Sequence, residues 1–235
     1  MSNRDQQLWV KVCGIRDVQT ADVAVNAGAN ALGLNFYHKS PRSITVEAAA
    51  EIVDSLPEHV TPVGLFVNQT PAQIEQIMET AGLSTLQLHG DETPEMLAVL
   101  SENHPNWKLI WARRVSDEEI SDVEDDLREC ESLGVKLFAC LLDPKVDGAY
   151  GGTGETLSWN MVARHYDQSM NPPLILAGGL TPDNVADAVR AVRPWGVDVA
   201  SGVEVERGIK DAELIREFLT NARESTQTPS SGPKP

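Results

Sequence analysis

Short apolar runs alternate with longer stretches of helical periodicity along almost the whole chain. Runs of four to six residues rich in Val, Leu and Ile are typical of buried strands, and apolar residues three or four positions apart indicate helices. The alternation predicts βα units around a parallel sheet. The predicted strands are Trp9–Cys13, Ala31–Phe36, Pro62–Val67, Thr85–Leu88, Leu109–Ala112, Leu137–Leu142, Leu174–Ala177 and Val197–Ala200. The predicted helices are Val18–Ala27, Val46–Ser55, Pro71–Ala81, Pro94–Ser101, Asp117–Ser132, Ser158–His165, Pro182–Val192 and Asp211–Ala222.

Eight strands that alternate with eight helices favour a closed (β/α)8 TIM barrel, because a doubly wound sheet more often has fewer strands and a dinucleotide fingerprint. No Gly-x-Gly-x-x-Gly motif follows the first predicted strand. The length of 235 residues suits one such domain. We therefore expect a single barrel over residues 8–223, a flexible N-terminus over residues 1–7, and a polar, proline-rich tail over residues 224–235 that is disordered.

Glycine-containing loops follow the last two predicted strands. The four residues that carry these loops are Gly178, Gly179, Ser201 and Gly202. Thr181 and Pro182 suit the N-cap and the first position of the helix after the first loop. Backbone N–H groups beside a helix N-terminus bind anions, and the last two βα loops of a barrel commonly hold a phosphate. The alternative is that these glycines only permit tight turns.

Side chains alternate between the two faces of a strand, so the phase of each run predicts which residues enter the barrel. In the first strand, Val10 and Val12 face the helices, and Lys11 and Cys13 face inward. The same reading places a set of polar residues inside or at the C-terminal rim: Asn35, Asn68, Gln87, His89, Asp143 and Asp198. Polar groups are costly in a core unless they are paired or wet, so this set indicates the active face.

Two of these residues suit acid–base chemistry. Cys13 is either a small apolar filler or a general base, and the charge of Lys11 would favour its thiolate. Asp143 precedes Pro144 at a strand end, where it either forms a turn or acts as a general acid that protonates a sugar oxygen. Cys140, surrounded by Leu and Ala, is expected to be a filler.

The remaining polar residues suit binding roles. Asp198 lies beside the two glycine loops and needs a partner, and Lys11 on the adjoining strand of a closed barrel is the expected one. His89 either contacts the substrate or caps its loop. The planar fork of Arg42 suits a carboxylate, although an arginine exposed to solvent is the alternative. Because no second histidine is visible at a strand end, we expect no metal site.

The net charge limits the classes of binding partner, and the cysteines indicate the cellular compartment. A formal net charge of −16 argues against nucleic acid and anionic membranes, but not against a small anionic phosphosugar held in its own pocket. Three cysteines without a Cys-x-x-Cys pair predict a reducing, cytoplasmic location. We find no signal peptide and no apolar run that could span a bilayer.

The motifs, taken in order from Lys11 to Asp211, resemble those of the phosphoribosylanthranilate isomerase family of tryptophan biosynthesis. The matching segments are Lys11–Ile15, Ser40–Arg42, Val63–Asn68, Gln87–Glu92, Leu141–Asp143, Gly151–Gly154, Ala177–Pro182 and Val197–Glu204. The departures are Val12 in place of isoleucine, Ala200 where serine is common, and Glu155 where lysine often follows the Gly-Gly-Thr-Gly cluster.

The resemblance implies a cofactor-free Amadori rearrangement of N-(5-phosphoribosyl)anthranilate, with Asp143 as general acid and Cys13 as general base. Arg42 would bind the anthranilate carboxylate. The expected substrate-binding residues are Lys11, Arg42, His89 and Asp198, and the expected phosphate-binding residues are Gly178, Gly179, Ser201 and Gly202. We expect a monomer or a homodimer. Two alternatives stay open: a phosphosugar isomerase or epimerase of another pathway, and a barrel that binds a phosphometabolite without turnover.

Overall fold

The structure is a computed structural model that describes residues 7–145 and 156–226. Within these residues, eight parallel strands form a closed barrel in sequential order, and β8 pairs back to β1. The strands are β1 (Trp9–Cys13), β2 (Ala31–Asn35), β3 (Thr61–Phe66), β4 (Thr85–Leu88), β5 (Lys108–Val115), β6 (Ala139–Pro144), β7 (Leu174–Leu176) and β8 (Gly196–Val199). The helices are α1 (Val18–Asn26), α2 (Val46–Ser55), α3 (Pro71–Thr80), α4 (Pro94–Asn103), α5 (Val123–Ser132), α6 (Trp159–His165), α7 (Val185–Val192) and α8 (Ala212–Glu224). The predicted TIM barrel is confirmed.

The core has two layers, as expected for parallel strands covered on both faces. The outer layer lies between the strands and the helices, where Val10 and Val12 are fully buried. The inner layer fills the barrel with Ala31, Val63, Ile110, Ala112, Ala139, Leu141, Ile175 and Ala177. Apart from the buried Lys11 and Gln87, the polar residues predicted to face inward lie at the C-terminal mouth of the barrel.

Helix starts follow the capping residues of the sequence. Asp17 accepts a hydrogen bond from the backbone N–H of Thr20 at 2.7 Å and caps α1. Thr70 and Gln73 form a capping box at the start of α3, with Pro71 as the first helical residue. These caps satisfy N–H groups that have no partner inside the helix, which stabilises the helix starts next to the loops of the barrel mouth.

The start of α7 differs from the prediction. Thr181 and Pro182 lie in a turn, and the helix begins at Val185. The amide of Asn184 is the reason, because it accepts from the N–H of Thr181 at 2.8 Å and donates to the carbonyl of Gly179 at 2.9 Å. The loop after β7 is therefore closed by a side chain before the helix begins.

The hydrophobic pattern also misplaced the end of β5 and the start of α5. Strand β5 extends to Val115, because its pairing with β6 continues past Arg113 and Arg114, whose charges hide the strand in the sequence. Helix α5 begins at Val123 after a short 3-10 turn at Ile120–Asp122, where a helix from Asp117 was predicted.

Helix α8 extends through Glu224, two residues beyond its predicted end at Ala222. Its last turn is tied to the end of α1, because Arg223 donates a hydrogen bond to the carbonyl of Gly28. Residues 1–6, the cluster Gly151–Gly154 and residues 227–235 lie outside the described residues. No helix in the described part of the chain has the length and apolar character needed to cross a membrane.

Candidate active site

A cavity opens at the C-terminal mouth of the barrel. It is lined by eight of the predicted site residues: Cys13, Arg42, His89, Asp143, Gly178, Gly179, Asp198 and Ser201. Active sites of TIM barrels lie at this face. The two predicted residues that do not line it are Lys11 and Gly202.

Lys11 lies inside the barrel, directly below the cavity. It is fully buried, and its Nζ atom lies 3.0 Å from Oδ1 of Asp198, its neighbour in the register of β1 and β8. Burial alone would lower the pKa of Lys11, but the charge of Asp198 and the hydrogen bond to its carboxylate raise it above its ordinary value. Lys11 therefore stays charged and acts on the cavity through its neighbours. Lys11 does not line the cavity, whereas its neighbours Asp198 and Cys13 do, and its role in substrate binding stays a prediction.

Two opposing effects act on the pKa of Cys13. Burial raises the pKa of the Cys13 thiol above its ordinary value, and the nearby charge of Lys11 lowers it by less. The direction predicted for Lys11 is right, but desolvation is the larger effect. Cys13 is therefore a thiol at neutral pH. Cys140 lies in the outer core layer, where burial raises its pKa to about 12 and confirms it as a filler.

Asp143 lies near the end of β6 and faces the cavity, with only 5% of its surface exposed. Its Oδ2 atom lies 3.3 Å from Nε2 of His89, whose other ring nitrogen lies 2.8 Å from Nε2 of Gln87. Gln87 and His89 are two residues apart, so they share the inner face of one strand. The three side chains form a continuous chain of contacts from the barrel interior to the cavity.

Arg42 is held in place by a bidentate ion pair. Its Nε and Nη2 atoms lie 2.7 and 2.8 Å from the two oxygens of Glu204, and Nζ of Lys210 lies 2.8 Å from Oε1 of the same carboxylate. Lys210 reaches Glu204 through the small hairpin of β9 (Glu204–Glu206) and β10 (Ile209–Lys210). The alternative of a solvent-exposed Arg42 is therefore wrong. Nη1 takes no part in the ion pair with Glu204.

Burial alone would raise the pKa of Glu204, but the hydrogen bonds from Arg42 and the charge of Lys210 outweigh it and lower the pKa to about 2. Sequence reasoning missed Glu204 as the partner of Arg42, and it missed Lys210, which binds the same carboxylate. Glu204 was visible only as the last residue of a matching motif, and Lys210 gave no signal, because its position depends on the hairpin.

The two glycine loops meet at the cavity rim. Gly178 and Gly179 have φ angles of +82° and +58°, which favour glycine. No carbonyl or side chain among the described residues accepts a hydrogen bond from their N–H groups, which leaves two donors for an anion. Gly202 packs against the other loop, because a Cβ atom there would lie 1.8 Å from the carbonyl oxygen of Leu180. Gly202 thus joins the loops, whereas Ser201 lines the cavity.

One wall of the cavity is apolar, formed in part by Tyr37, Leu65 and Val67. Our sequence analysis did not single out these residues. The signal was available for Leu65 and Val67, because they alternate with Phe66 on β3 and follow Val63 on its inner face. An apolar wall beside Arg42 suits a flat aromatic acid.

The ion-pair cluster of Arg42, Glu204 and Lys210 can be tested by replacing Glu204 and measuring the free energy of unfolding. Because its folded-state pKa of about 2 is below the ordinary 4.5, Glu204 stabilises the fold above pH 4.5 and loses this contribution as the pH falls toward 2. The shift corresponds to about 3 kcal/mol. We expect Glu204→Gln to lower the free energy of unfolding by about this amount at pH 7 and by much less at pH 3, in urea titrations at both pH values.

Glu213→Gln is the matched control, because Glu213 pairs with Arg216 on the exposed face of α8. Exposed pairs contribute about 0 to 1 kcal/mol. An equal loss of stability in the two variants at pH 7, or a loss in Glu204→Gln that does not shrink at acid pH, would contradict the role given to the cluster.

The residues present at the mouth offer acid–base groups and anion donors. Among residues 7–145 and 156–226, no group of three or more His, Cys, Asp or Glu side chains is arranged to hold a metal ion. The cavity combines a thiol, a carboxyl group in contact with a histidine, a fixed guanidinium and two donor loops. This set can protonate one atom of a ligand, remove a proton from another and hold two anionic groups.

Comparisons with known proteins agree with this chemistry. Residues 10–221 match the family model of N-(5'-phosphoribosyl)anthranilate isomerase. The chain is 44% identical to an enzyme of that name from Thiobacillus denitrificans over 216 residues, which is 92% of this chain and 98% of the relative. The crystal structure of phosphoribosyl anthranilate isomerase from Thermotoga maritima covers 92% of this chain and 99% of its own, with 37% identity and a TM-score of 0.81.

Another solved phosphoribosyl anthranilate isomerase is in complex with reduced 1-(o-carboxyphenylamino)-1-deoxyribulose 5-phosphate. It is 36% identical to this chain, covers 92% of it and 99% of its own length, and has a TM-score of 0.77. The family model spans nine-tenths of the chain, including every site residue described above, and the curated relative covers 92% of the chain. This chain therefore belongs to the N-(5'-phosphoribosyl)anthranilate isomerase family.

Proposed function

We propose that this chain converts N-(5'-phosphoribosyl)anthranilate to 1-(2-carboxyphenylamino)-1-deoxyribulose 5-phosphate by an Amadori rearrangement, as a step of tryptophan biosynthesis. The observation that carries the proposal is that Cys13 and Asp143, from opposite sides of the barrel, face one cavity. An aldose–ketose isomerisation needs an acid at the ring oxygen and a base at C2, which is what these two groups supply. Family membership supports the same assignment.

Ring opening is the first step. Asp143 gives its proton to the furanose ring oxygen, the bond between C1 and that oxygen breaks, and the nitrogen of the substrate completes a protonated Schiff base. Because the substrate supplies its own nitrogen, the reaction requires no lysine adduct, and we propose that it uses no cofactor. The Asp143 carboxylate left behind keeps its contact with His89.

Proton removal from C2 is the second step. The thiolate of Cys13 takes this proton, and the electron pair of the C–H bond neutralises the Schiff base to give an enolamine, which tautomerises to the ketone. Lys11 stabilises the thiolate, because its charge opposes the effect of burial on the pKa of Cys13. Acid and base need opposite protonation states, so only part of the molecules hold the productive pair at a given moment.

Two anionic ends fix the substrate. We propose that the phosphate binds the N–H groups of Gly178 and Gly179, together with Ser201 from the neighbouring loop. The anthranilate carboxylate binds Arg42, whose Nη1 is outside its pair with Glu204. The apolar wall of Leu65 and Val67 receives the aromatic ring.

The proposal also covers the extent of the domain, the cellular location and the oligomeric state. The site residues described above all lie within residues 8–223, which we propose as one domain, and nothing assigns a role to residues 224–235. We further propose a cytoplasmic location. We also propose that the chain is a monomer or a homodimer, and light scattering of the purified chain would distinguish these two states.

The test is direct. Freshly generated phosphoribosylanthranilate is fluorescent, and its fluorescence should decay when the wild-type chain is added. An unchanged signal with folded protein would overturn the proposed function. Turnover of a different phosphosugar in that case would favour the alternative of another isomerase, and binding without turnover would favour a non-catalytic barrel.

Gly178→Ala tests the phosphate loop. A Cβ atom at Gly178 would lie 1.9 Å from Cδ of Pro144, so the loop must shift from its present position. We expect KM to rise about tenfold or more and the free energy of unfolding to fall by about 1–3 kcal/mol beyond the backbone strain. The assay is substrate titration with a urea melt of the same variant.

Gly134→Ala is the control for backbone strain. Gly134 has a φ of +79°, close to that of Gly178, but a Cβ atom there has no neighbour within 4 Å. We expect this variant to lose stability from strain alone and to keep the wild-type KM. Equal KM values for the two variants would contradict the placement of the phosphate at the Gly178 loop.

A further inference from the structure

Gln87 lies on the inner face of β4 beneath His89, and nothing described so far uses it. It is fully buried and does not line the cavity, so it has no contact with a ligand there. Its Nε2 atom lies 2.8 Å from Nδ1 of His89, and its Oε1 atom has no hydrogen-bond partner among the described residues. A buried polar atom without a partner lowers the stability of the fold. An apolar side chain would therefore fill this space at a lower cost in stability than Gln87 does.

The orientation of this amide decides which proton His89 carries. An amide nitrogen only donates, so with Nε2 toward the ring, Nδ1 of His89 must accept. The neutral ring then carries its proton on its other nitrogen, Nε2. In the reversed orientation, the amide nitrogen would occupy the position where Oε1 has no partner, so its two N–H groups would have no acceptor. Buried N–H groups without a partner are rarer than buried carbonyl oxygens without one. Burial therefore favours the orientation with Nε2 on the ring.

We infer that Gln87 is a positioning residue that holds His89 in its Nε2–H tautomer and thereby keeps the acidic proton of Asp143 on Oδ1. This inference rests on the proposed function. The Nε2 atom of His89 lies 3.3 Å from Oδ2 of Asp143, so the Nε2–H group donates to Oδ2. With Oδ2 accepting as the carbonyl oxygen, the proton of the neutral carboxyl group resides on Oδ1.

The position of Oδ1 fits this role. It is the oxygen that faces Gly178, since a Cβ atom built on that glycine would lie 3.2 Å from it. Gly178 belongs to the loop that lines the cavity. A proton on Oδ1 therefore lies on the side of the Gly178 loop, and in the proposed reaction it moves to the ring oxygen while the bond between Oδ2 and Nε2–H is retained.

The opposite tautomer would work against ring opening. A proton on Nδ1 would donate to the Gln87 oxygen, and Nε2 of His89 would then accept the proton of Asp143. The acid would be turned away from the substrate and toward the imidazole. In another enzyme class, a catalytic histidine held in the wrong tautomer costs about 10⁴ in rate.

The first test reads the tautomer without any turnover. Protein labelled with ¹⁵N-histidine is measured by two-bond ¹H–¹⁵N correlation, and the His89 signals are identified by their loss in His89→Gln. We expect the wild-type ring to carry its proton on Nε2. In Gln87→Glu, the carboxylate can only accept, so Nδ1 should become protonated. A wild-type ring with the proton on Nδ1, or one tautomer pattern shared by both proteins, would overturn the inference.

The second test is kinetic. We expect Gln87→Met, which keeps the volume and removes the donor, to lower kcat about tenfold, and Gln87→Glu about a hundredfold. KM should stay within about twofold, because Gln87 lies outside the cavity. Gln76→Glu makes the same change on the exposed face of α3 and should leave kcat unchanged. A folded Gln87→Met protein with wild-type kcat, or variants that lose KM instead of kcat, would contradict the role of Gln87.

The two tests separate this inference from the proposed function. A wild-type protein with the Nε2–H tautomer that does not isomerise phosphoribosylanthranilate contradicts the proposed function. A wild-type protein that isomerises it while His89 carries its proton on Nδ1 contradicts the inference alone.

Discussion

Cys13→Ser should lower kcat by about a hundredfold to ten-thousandfold, the usual contribution of a general base. The hydroxyl group nearly matches the thiol in size, so the cavity and the pair of Lys11 with Asp198 are retained. An alcohol is a far weaker acid than a thiol, and a site that already raises the pKa of Cys13 by burial would not ionise it. Affinity for the product should change little, because the base acts mainly in the transition state. Fluorescence assays of turnover and product titration measure both quantities.

Cys130→Ser is the control for this experiment. Cys130 is buried on α5 and does not line the cavity, so the same change there should leave kcat unchanged even if it costs stability. If Cys13→Ser retained wild-type turnover, thiolate catalysis would be excluded. Cys13 would then revert to the alternative considered in the sequence, a small filler at the end of β1.

Asp143→Asn should also lower kcat by about a hundredfold to ten-thousandfold, because an amide carries no acidic proton for the ring oxygen. The amide oxygen still accepts from His89, so the side chain stays in place and the variant isolates the loss of the proton. The decay of substrate fluorescence at saturating concentration measures the effect.

Asp187→Asn makes the same chemical change in the exposed pair with Arg190 on α7 and should behave as wild type. If Asp143→Asn instead raised KM and left kcat intact, the residue would bind substrate without acting as the acid. Loss of turnover in both variants would indicate damage to the barrel.

Much of the barrel could be predicted from the alternation of inward and outward side chains along each strand. The alternation of Val10, Lys11, Val12 and Cys13 placed two side chains outward and two inward, as the structure has them. The pair of Lys11 with Asp198 followed from the same logic, since the first and last strands of a closed barrel are neighbours. Helix starts at Val18 and Pro71 were predictable because their caps are local. The start of α7 was not, because the side chain of Asn184 overrides a plausible cap at Thr181.

The partners of the site residues were harder to predict from the sequence. Arg42 and Glu204 are 162 positions apart, and His89 and Asp143 are 54 apart. Neither pair lies on neighbouring strands, so no periodicity joins them. The protonation state of Cys13 was also open, because the charge of Lys11 and the burial of the thiol act in opposite directions and their sizes depend on solvent access.

By itself, the amino-acid sequence determined the closed order of the strands and the set of side chains at their carboxyl ends, because alternation and capping act over a few residues. The tertiary structure alone decided how those side chains are paired and protonated: Arg42 held by Glu204, Cys13 kept as a thiol, and His89 placed between Gln87 and Asp143. These are properties of distance and desolvation. Both quantities come into existence only when segments far apart in the chain are brought together and water is excluded between them.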